Sequence, residues 1–207
     1  MRQIFTSERL TGRDFHSPGV PEEHPFVNEQ QTDAICWYAV RVTYSRELSL
    51  KEYLDTEHIE CFIPMHYDYV VRGERKVRKL VPAIHNLVFV HTTRQCLDEI
   101  KRLKALTIPI RYIMDHVTRR PMVVPDRQMR SFIAVAGNYD EQIVYLSATD
   151  LNLKKGDRVR IIDGVFKGVE GEFLRVKGDR RVVVAIQGVM AVATAFVHPS
   201  VIEVIGE

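Results

Sequence analysis

Ile35-Cys36-Trp37-Tyr38-Ala39-Val40-Arg41-Val42 is the stretch on which the reading of this chain turns. A nearly unbroken apolar run, rich in aromatic and branched side chains, reads as a buried strand. Before it, residues 1–33 are dominated by Gln, Glu, Ser, Thr, Pro and Gly, and His16-Ser17-Pro18-Gly19-Val20-Pro21 is loop chemistry. A flexible polar tail is expected there. After it the period changes. Leu48, Leu50, Tyr53 and Leu54 recur at helical spacing, and Ser45 is placed to cap that helix. Residues 59–71 are strand-like and run into Arg72-Gly73-Glu74-Arg75, a charged turn followed by Lys76-Val77-Arg78-Lys79-Leu80-Val81. The pair predicts a hairpin with a basic tip. Leu87-Val88-Phe89-Val90 is a second buried strand, and Leu97, Ile100, Leu103 and Leu106 mark a second helix. Short strands at 110–114 and 122–124 flank the basic turn Thr118-Arg119-Arg120. A third helix opens at Pro125 or Asp126, with Met129, Phe132, Ile133 and Val135 on its apolar face. This order predicts an α+β domain over 34–136, a ferredoxin-like antiparallel sheet with helices.

Residues 137–153 have little periodicity and are read as a linker, with Ile143-Val144-Tyr145 as a piece that packs locally. Beyond them, turn signals at Lys155-Gly156-Asp157, Asp163-Gly164, Lys177-Gly178-Asp179 and Gln187-Gly188 separate five short strands: 158–162, 171–176, 181–186, 189–197 and 201–205. That spacing predicts a small β-barrel over 154–207. Its Val- and Ile-rich, period-two stretches favour strand over helix, so a stable barrel without a helical form is expected. Gly164, Gly168 and Gly171 are read as positions whose backbone angles other residues resist. Phe166, at the tip of the loop they punctuate, is either a lid on the core or a contact for a partner.

Composition bounds the function. The 207 residues are 45% apolar and 27% charged, an ordinary globular balance. No apolar run is long enough to span a membrane and the first residues lack a signal-peptide core, so a cytoplasmic protein is expected. Cys36, Cys61 and Cys96 are an odd, widely spaced set, which argues against a disulfide framework and a structural zinc site. The net charge of +2 is uneven: −3 over residues 1–33, +6 over 34–136 and −1 over 137–207. A basic middle block is where a polyanion binds, unless it is only a solvated face. His85, His91 and His116 have no ligand partners at metal spacing, and His66 with Asp68 lacks a third ligand. No nucleophile triad, phosphate loop or carboxylate pair appears, so neither catalysis nor a cofactor is expected.

Gly156-Asp157-Arg158-Val159-Arg160-Ile161-Ile162-Asp163-Gly164-Val165-Phe166-Lys167-Gly168-Val169-Glu170-Gly171 resembles a KOW motif, with Val165 where relatives usually carry proline. Trp37-Tyr38 opening a strand, Phe62-Ile63-Pro64, Asn86-Leu87-Val88-Phe89-Val90 and Met122-Val123-Val124-Pro125 resemble the NGN domain of NusG-type transcription factors. An NGN-like block, a linker and an SH3-like KOW barrel in that order resemble the NusG family. With the polar N-terminus and the segment Met122 to Gln128, the pattern is similar to antitermination paralogues of the UpxY or RfaH kind, some of which head surface-polysaccharide operons.

The resemblance implies a monomeric, non-enzymatic factor whose NGN domain grips the clamp helices of RNA polymerase. Positions matching the family's polymerase cavity are Trp37, Arg41, Ile84 and Leu87; the last two replace family aromatics by aliphatic side chains. Nucleic-acid contacts to non-template DNA near the transcription bubble fall on Tyr44, Tyr53 and Lys104, with Thr43 and Thr56 beside them, and on the hairpin tip Arg72, Arg75, Lys76, Arg78 and Lys79. Lysine and arginine there neutralise phosphate and aromatic rings stack on unpaired bases. On the barrel, Phe166, Gln187 and Val189 match the family's partner-binding positions, for which ribosomal protein S10 and Rho compete. Gln187-Gly188-Val189 lacks the aromatic and arginine found there in the general factor, so weak or no Rho binding is expected. The competing reading is a ribosome-associated or RNA-binding KOW protein. It predicts a basic barrel, which the −1 balance of 137–207 does not supply.

Overall fold

The computed structural model describes residues 34–73, 75–147 and 156–205. The tail expected over 1–33 and most of the second half of the expected linker lie outside the described residues.

The first sheet is built around β1 (Cys36–Val42) and β5 (Leu87–Thr92), which pair antiparallel from Cys36 opposite Thr92 to Arg41 opposite Leu87. β2 (Cys61–Phe62) extends it beyond β5, and β6 (Ile110–Tyr112) and β7 (Val123–Val124) both pair with β1. Alternation along β1 and β5 sends side chains to opposite faces. Tyr38, Val40, Val42, Val88 and Val90 meet Leu50 and Leu54 of α1 (Glu47–Thr56) and Leu97 and Ile100 of α2 (Arg94–Leu103). Trp37, Ala39, Leu87 and Phe89 meet Met129, Phe132, Val135 and Ala136 of α3 (Asp126–Ala136). Each side chain fully buried in such a layer stabilises the fold by about 1.5–3 kcal/mol. The expected strand over 59–71 is split: Ile63-Pro64 separates β2 from β3 (Met65–Arg72), which turns through Gly73 into β4 (Arg75–Pro82) as a separate two-stranded ribbon.

The second sheet runs β13-β9-β10-β11-β12-β8, antiparallel throughout, from β8 (Val144–Ser147), β9 (Asp157–Ile161), β10 (Glu170–Val176), β11 (Asp179–Ile186), β12 (Met190–Ala193) and β13 (Ile202–Val204). Among the described residues of 156–205 the only helical turn is the short 3-10 turn Pro199–Val201. The five expected strands are present, and a sixth comes from the stretch read as linker. β8 pairs with β12, Ala191 opposite Leu146 and Val192 opposite Tyr145. Side chains pin this segment: the Tyr145 hydroxyl lies 2.9 Å from the Met65 carbonyl and 3.2 Å from that of Ala136, and Arg78 reaches Glu141 at 2.6 Å. The Arg181 guanidinium donates to the Gln142 carbonyl.

The two sheets are not separate cores. One apolar cluster runs from Trp37 and Phe89 through Met129 and Phe132 to Val184, Ile186, Met190 and Val192. α3 is the shared layer, buried on one side by the first sheet and touching β10, β11 and β12 on the other.

Two local expectations are corrected. Ser45 does not cap α1; it sits in the left-handed region at φ 50°, its N–H bound to Asn86 Oδ1, and Arg46 occupies the cap position with no side-chain capping bond, its guanidinium donating instead to the Thr107 carbonyl. Gly164 and Gly168 do take positive φ, 82° and 88°, but Gly171 does not. Gly171 is needed for close approach: a Cβ there would lie 2.4 Å from the Val183 carbonyl oxygen.

Candidate functional site

The sheet face that carries Trp37 is the first candidate surface. Trp37 lies opposite His91 in the β1–β5 register, and the two rings stack at 4.7 Å with a 10° interplanar angle. Glu60 Oε2 holds His91 Nδ1 at 2.7 Å, so the imidazole is fixed over the indole. Leu87 is buried on the same face, Ile84 is half-buried against it and Arg41, opposite Leu87, is exposed. The structure therefore brings Trp37, Arg41, Ile84 and Leu87 onto one face. It presents a packed apolar floor with a cationic rim, because Trp37 and Leu87 are only 5% and 3% exposed.

Asn86 sets the edge of this face. It takes φ 66°, a conformation in which Asn is several-fold enriched. Its N–H donates to the carboxylate of Glu47, itself buried at the start of α1, and its carbonyl accepts from Val42 N–H at 2.9 Å. Sequence reasoning missed Glu47, since a glutamate in a first helical turn is usually solvated.

The residues nominated for nucleic acid fall into two groups. Tyr44 is 82% exposed before α1, and Tyr53 and Lys104 meet, with Nζ 3.8 Å from the ring centroid. On the ribbon, Arg75, Lys76, Arg78 and Lys79 are all exposed on β4, and Arg72 lies on β3 opposite Arg75. Arg78 is already engaged: it lies 4.0 Å over the Tyr67 ring and pairs with Glu141. A further aromatic and basic cluster is structural. Tyr112 takes Arg94 and Lys101 over its ring at 4.4 Å and 4.0 Å and donates to Asp98 at 3.0 Å. Burial and that bond push the phenol well above its usual range.

On the second sheet, Phe166 is buried in the core, and the exposed apolar residue of its loop is Val165 at 84%. Of the two readings left open for Phe166, the geometry takes the lid. Gln187 and Val189 flank Gly188, and a Cβ on Gly188 would sit 3.3 Å from the Met122 methyl. Gln187 borders a pocket with Met122, Val123, Val124 and Gln128, and Gln128 Nε2 donates to the Ala185 carbonyl at 2.5 Å. The nominated partner turn thus lies against the end of the first sheet. Close by, Arg127 and Arg160 converge on Glu170 at 2.5 Å and 2.8 Å. Burial works to raise that carboxyl, and the two guanidiniums overcome it and hold it below the ordinary range.

Among the described residues, no group of three or more His, Cys, Asp or Glu side chains is placed to hold a metal ion, and no helix is long and apolar enough to cross a membrane. Cys36, Cys61 and Cys96 are all free.

Residues 35–133 match the family model described as "Transcription termination factor nusG". A solved structure described as "Domain interaction in Thermotoga maritima NusG" is similar at 21% identity, over 84% of this chain and 98% of that one, with a TM-score of 0.43. No curated protein matches.

Proposed function

We propose that this chain, whose residues 35–133 match the NusG family model, is a transcription elongation factor whose first domain binds RNA polymerase. The supporting observation is the gathering of Trp37, Ile84 and Leu87 on one sheet face beside the exposed Arg41. The half-buried Ile84 beside the exposed Arg41, above a packed floor of Trp37 and Leu87, suits an apolar helix tip such as the clamp helices present. In this reading residues 34–136 are the polymerase-binding module and 154–207 a KOW-type adaptor, with 137–153 joining them and lending β8 to the adaptor's sheet. The factor works in the cytoplasm as a monomer without catalysis. The basic ribbon and the Tyr44, Tyr53 and Lys104 surface face non-template DNA, where phosphate neutralisation supplies the affinity.

The finer reading is antitermination: read-through of long operons, surface-polysaccharide operons among them. Its support is the 187–189 turn, where glutamine and valine leave no aromatic or arginine anchor for Rho. Ribosomal protein S10 is the alternative partner for that turn.

The test is co-purification with core RNA polymerase, followed by transcription across a Rho-dependent terminator. Wild type is retained by polymerase and raises read-through. Ile84→Glu, which puts a charge on the half-buried rim, loses retention while keeping its circular dichroism spectrum. A chain that ignores polymerase at high concentration and low salt overturns the proposal. A Rho affinity equal to that of a general NusG overturns the antitermination half alone.

A further inference from the structure

In the β10–β11 hairpin of the second sheet, Arg175 lies directly opposite Arg180. Side chains so placed stand about 5 Å apart on one face, and like charges there destabilise the pair. Both arginines are exposed, and among the described residues neither has an ion pair. Of the acidic residues that the registers bring near, Asp179 is taken by Arg181 at 3.0 Å, and Asp157, opposite Phe173, pairs with neither arginine. Lys177, exposed in the turn between the strands, adds a third cation.

Phe196 completes the surface. The β11–β12 register sets Val183 opposite Ala193, and the Thr194 N–H donates to the Val182 carbonyl at 3.0 Å. Carried two residues further, the ladder brings Phe196 alongside Arg180, where the Val197 N–H donates to the Arg180 carbonyl at 3.1 Å. Val197 turns into the core and Phe196 turns out, 55% exposed, its ring edge-on to His198 at 6.5 Å. The Arg180 guanidinium stands 5.8 Å from the Phe173 ring, on the side of the sheet that Phe196 borders. The group sits at the start of β11, roughly 20 Å of strand away from the 187–189 turn at its other end.

A lone exposed ring means little. Two arginines that repel each other beside it mean more, since a single glutamate at either position would turn the repulsion into attraction. Arginine and phenylalanine without acidic neighbours is the composition of a protein interface. Two adjacent guanidiniums suit carboxylates, each of which arginine takes in a two-pronged bond. A polynucleotide fits less well, because residues 137–207 carry −1 overall and no long-range field draws a polyanion to them.

We propose that Arg175, Arg180 and Phe196 form a docking surface for an acidic segment of another protein, with carboxylates on the two guanidiniums and an apolar side chain against Phe196. The surface is separate from the 187–189 turn, and the proposal does not rest on the polymerase reading.

The test uses the full chain, labelled with nitrogen-15 and titrated with the synthetic peptide Glu-Glu-Leu-Phe-Glu-Glu. Amide shifts are expected within 173–181 and 195–200. The peptide with glutamine in place of glutamate, or serine in place of its two apolar residues, binds about tenfold more weakly. Phe196→Ser weakens binding about tenfold and leaves the amide spectrum elsewhere unchanged. Arg175→Glu combined with Arg180→Glu abolishes the shifts and accepts Lys-Lys-Leu-Phe-Lys-Lys instead. Without peptide, Arg180→Gln raises the midpoint of thermal unfolding by about 1–3 °C, because a repulsion has gone. Absence of shifts, shifts centred on the 187–189 turn, or unaltered affinity in the arginine variants overturns the proposal. Tighter binding of an oligouridine of about twelve nucleotides at the same amides also overturns it, by making the surface a nucleic-acid site. A lowered midpoint in Arg180→Gln overturns it too, by making the arginine part of the fold.

Discussion

Arg127 on α3 and Glu170 at the start of β10 lie 2.5 Å apart, joining the first sheet's helix to the second sheet across a sequence separation of 43 residues. Arg160 reaches the same carboxylate oxygen at 2.8 Å, and Ser131 Oγ accepts from Glu170 N–H at 3.3 Å. The contact is asymmetric: the Glu170 side chain is 10% exposed and that of Arg127 is 62% exposed.

That asymmetry ranks the variants. Arg127→Ala removes a screened, flexible partner and costs about 1 kcal/mol or less. Glu170→Ala strips Arg160 and Arg127 together and costs about 1–3 kcal/mol. Because the folded carboxyl sits below its ordinary range, its contribution is complete above the unfolded value of about 4.3 and is lost as pH falls through the lower folded value. Acid titration of thermal stability in wild type and Glu170→Gln checks this. The variant is expected to lose less stability than wild type on acidification below that value. Parallel curves refute it.

Glu47 and Asn86 make a second long-range joint. Glu47→Ala leaves the half-buried Asn86 N–H without its acceptor, at a cost of about 1–3 kcal/mol. At about 2–4 °C per kcal/mol for a chain of this size, the fall is readily measured by calorimetry. Glu47→Gln retains an acceptor oxygen and loses less. Asn86→Val is expected to be worse than Asn86→Gly, because glycine takes the φ of 66° freely and a branched residue does not.

How much of this was legible in the sequence depends on whether the signal was local. β1 and β5 were readable because burial on both faces leaves an apolar run, and the ribbon because Arg72-Gly73-Glu74-Arg75 is itself turn chemistry. α2 was readable from Leu97 and Ile100, whereas Leu103 and Leu106, read as part of the same stripe, are exposed and Leu106 lies beyond the helix end. What was missed depends on contacts distant in sequence. β8 has four residues and is a strand only because β12 pairs with it. Ser45 has the chemistry of a cap, but Asn86, 41 residues on, draws its N–H away. α3 shows one apolar stripe in the sequence, and nothing in that stripe says that two sheets share it. The candidate site was partly legible. The apolar positions came from resemblance, while the stacking of His91 on Trp37 and the packing of the 187–189 turn against Met122 follow from tertiary geometry.

Gly171 and Gly164 predict opposite outcomes from one substitution. In Gly171→Ala the new methyl meets backbone, 2.4 Å from the Val183 oxygen and 2.9 Å from its carbon, so β10 and β11 must part. A loss at or above the usual overpacking range of about 1–3 kcal/mol is expected. In Gly164→Ala nothing lies within 4 Å, and the cost is that of a left-handed alanine at φ 82°, about 1–2 kcal/mol. Amide hydrogen exchange separates them. Gly171→Ala exposes the N–H groups shared by β10 and β11, whereas Gly164→Ala leaves that ladder protected. Equal loss of protection in both would refute the close-approach argument.

Tyr145 carries the last prediction. Its hydroxyl serves the carbonyls of Met65 and Ala136, one at the start of the ribbon and one at the end of α3. Tyr145→Phe keeps the ring and removes that bond, for about 0.5–1.5 kcal/mol. Faster exchange is expected in β8 and in the β12 amides that pair with it, because the anchor that positions β8 has gone. Burial pushes the phenol up to about 12, whereas in the unfolded chain it ionises near 10. Between those values the folded state holds a proton that the unfolded state has released, so stability falls as pH rises through that window. The other raised phenols add their own slopes in wild type and variant alike. The difference between the two alkaline curves therefore isolates Tyr145. Tyr145→Phe is expected to lose less stability on alkalinisation, and a difference that stays constant across the window would show that the hydroxyl is not buried as described.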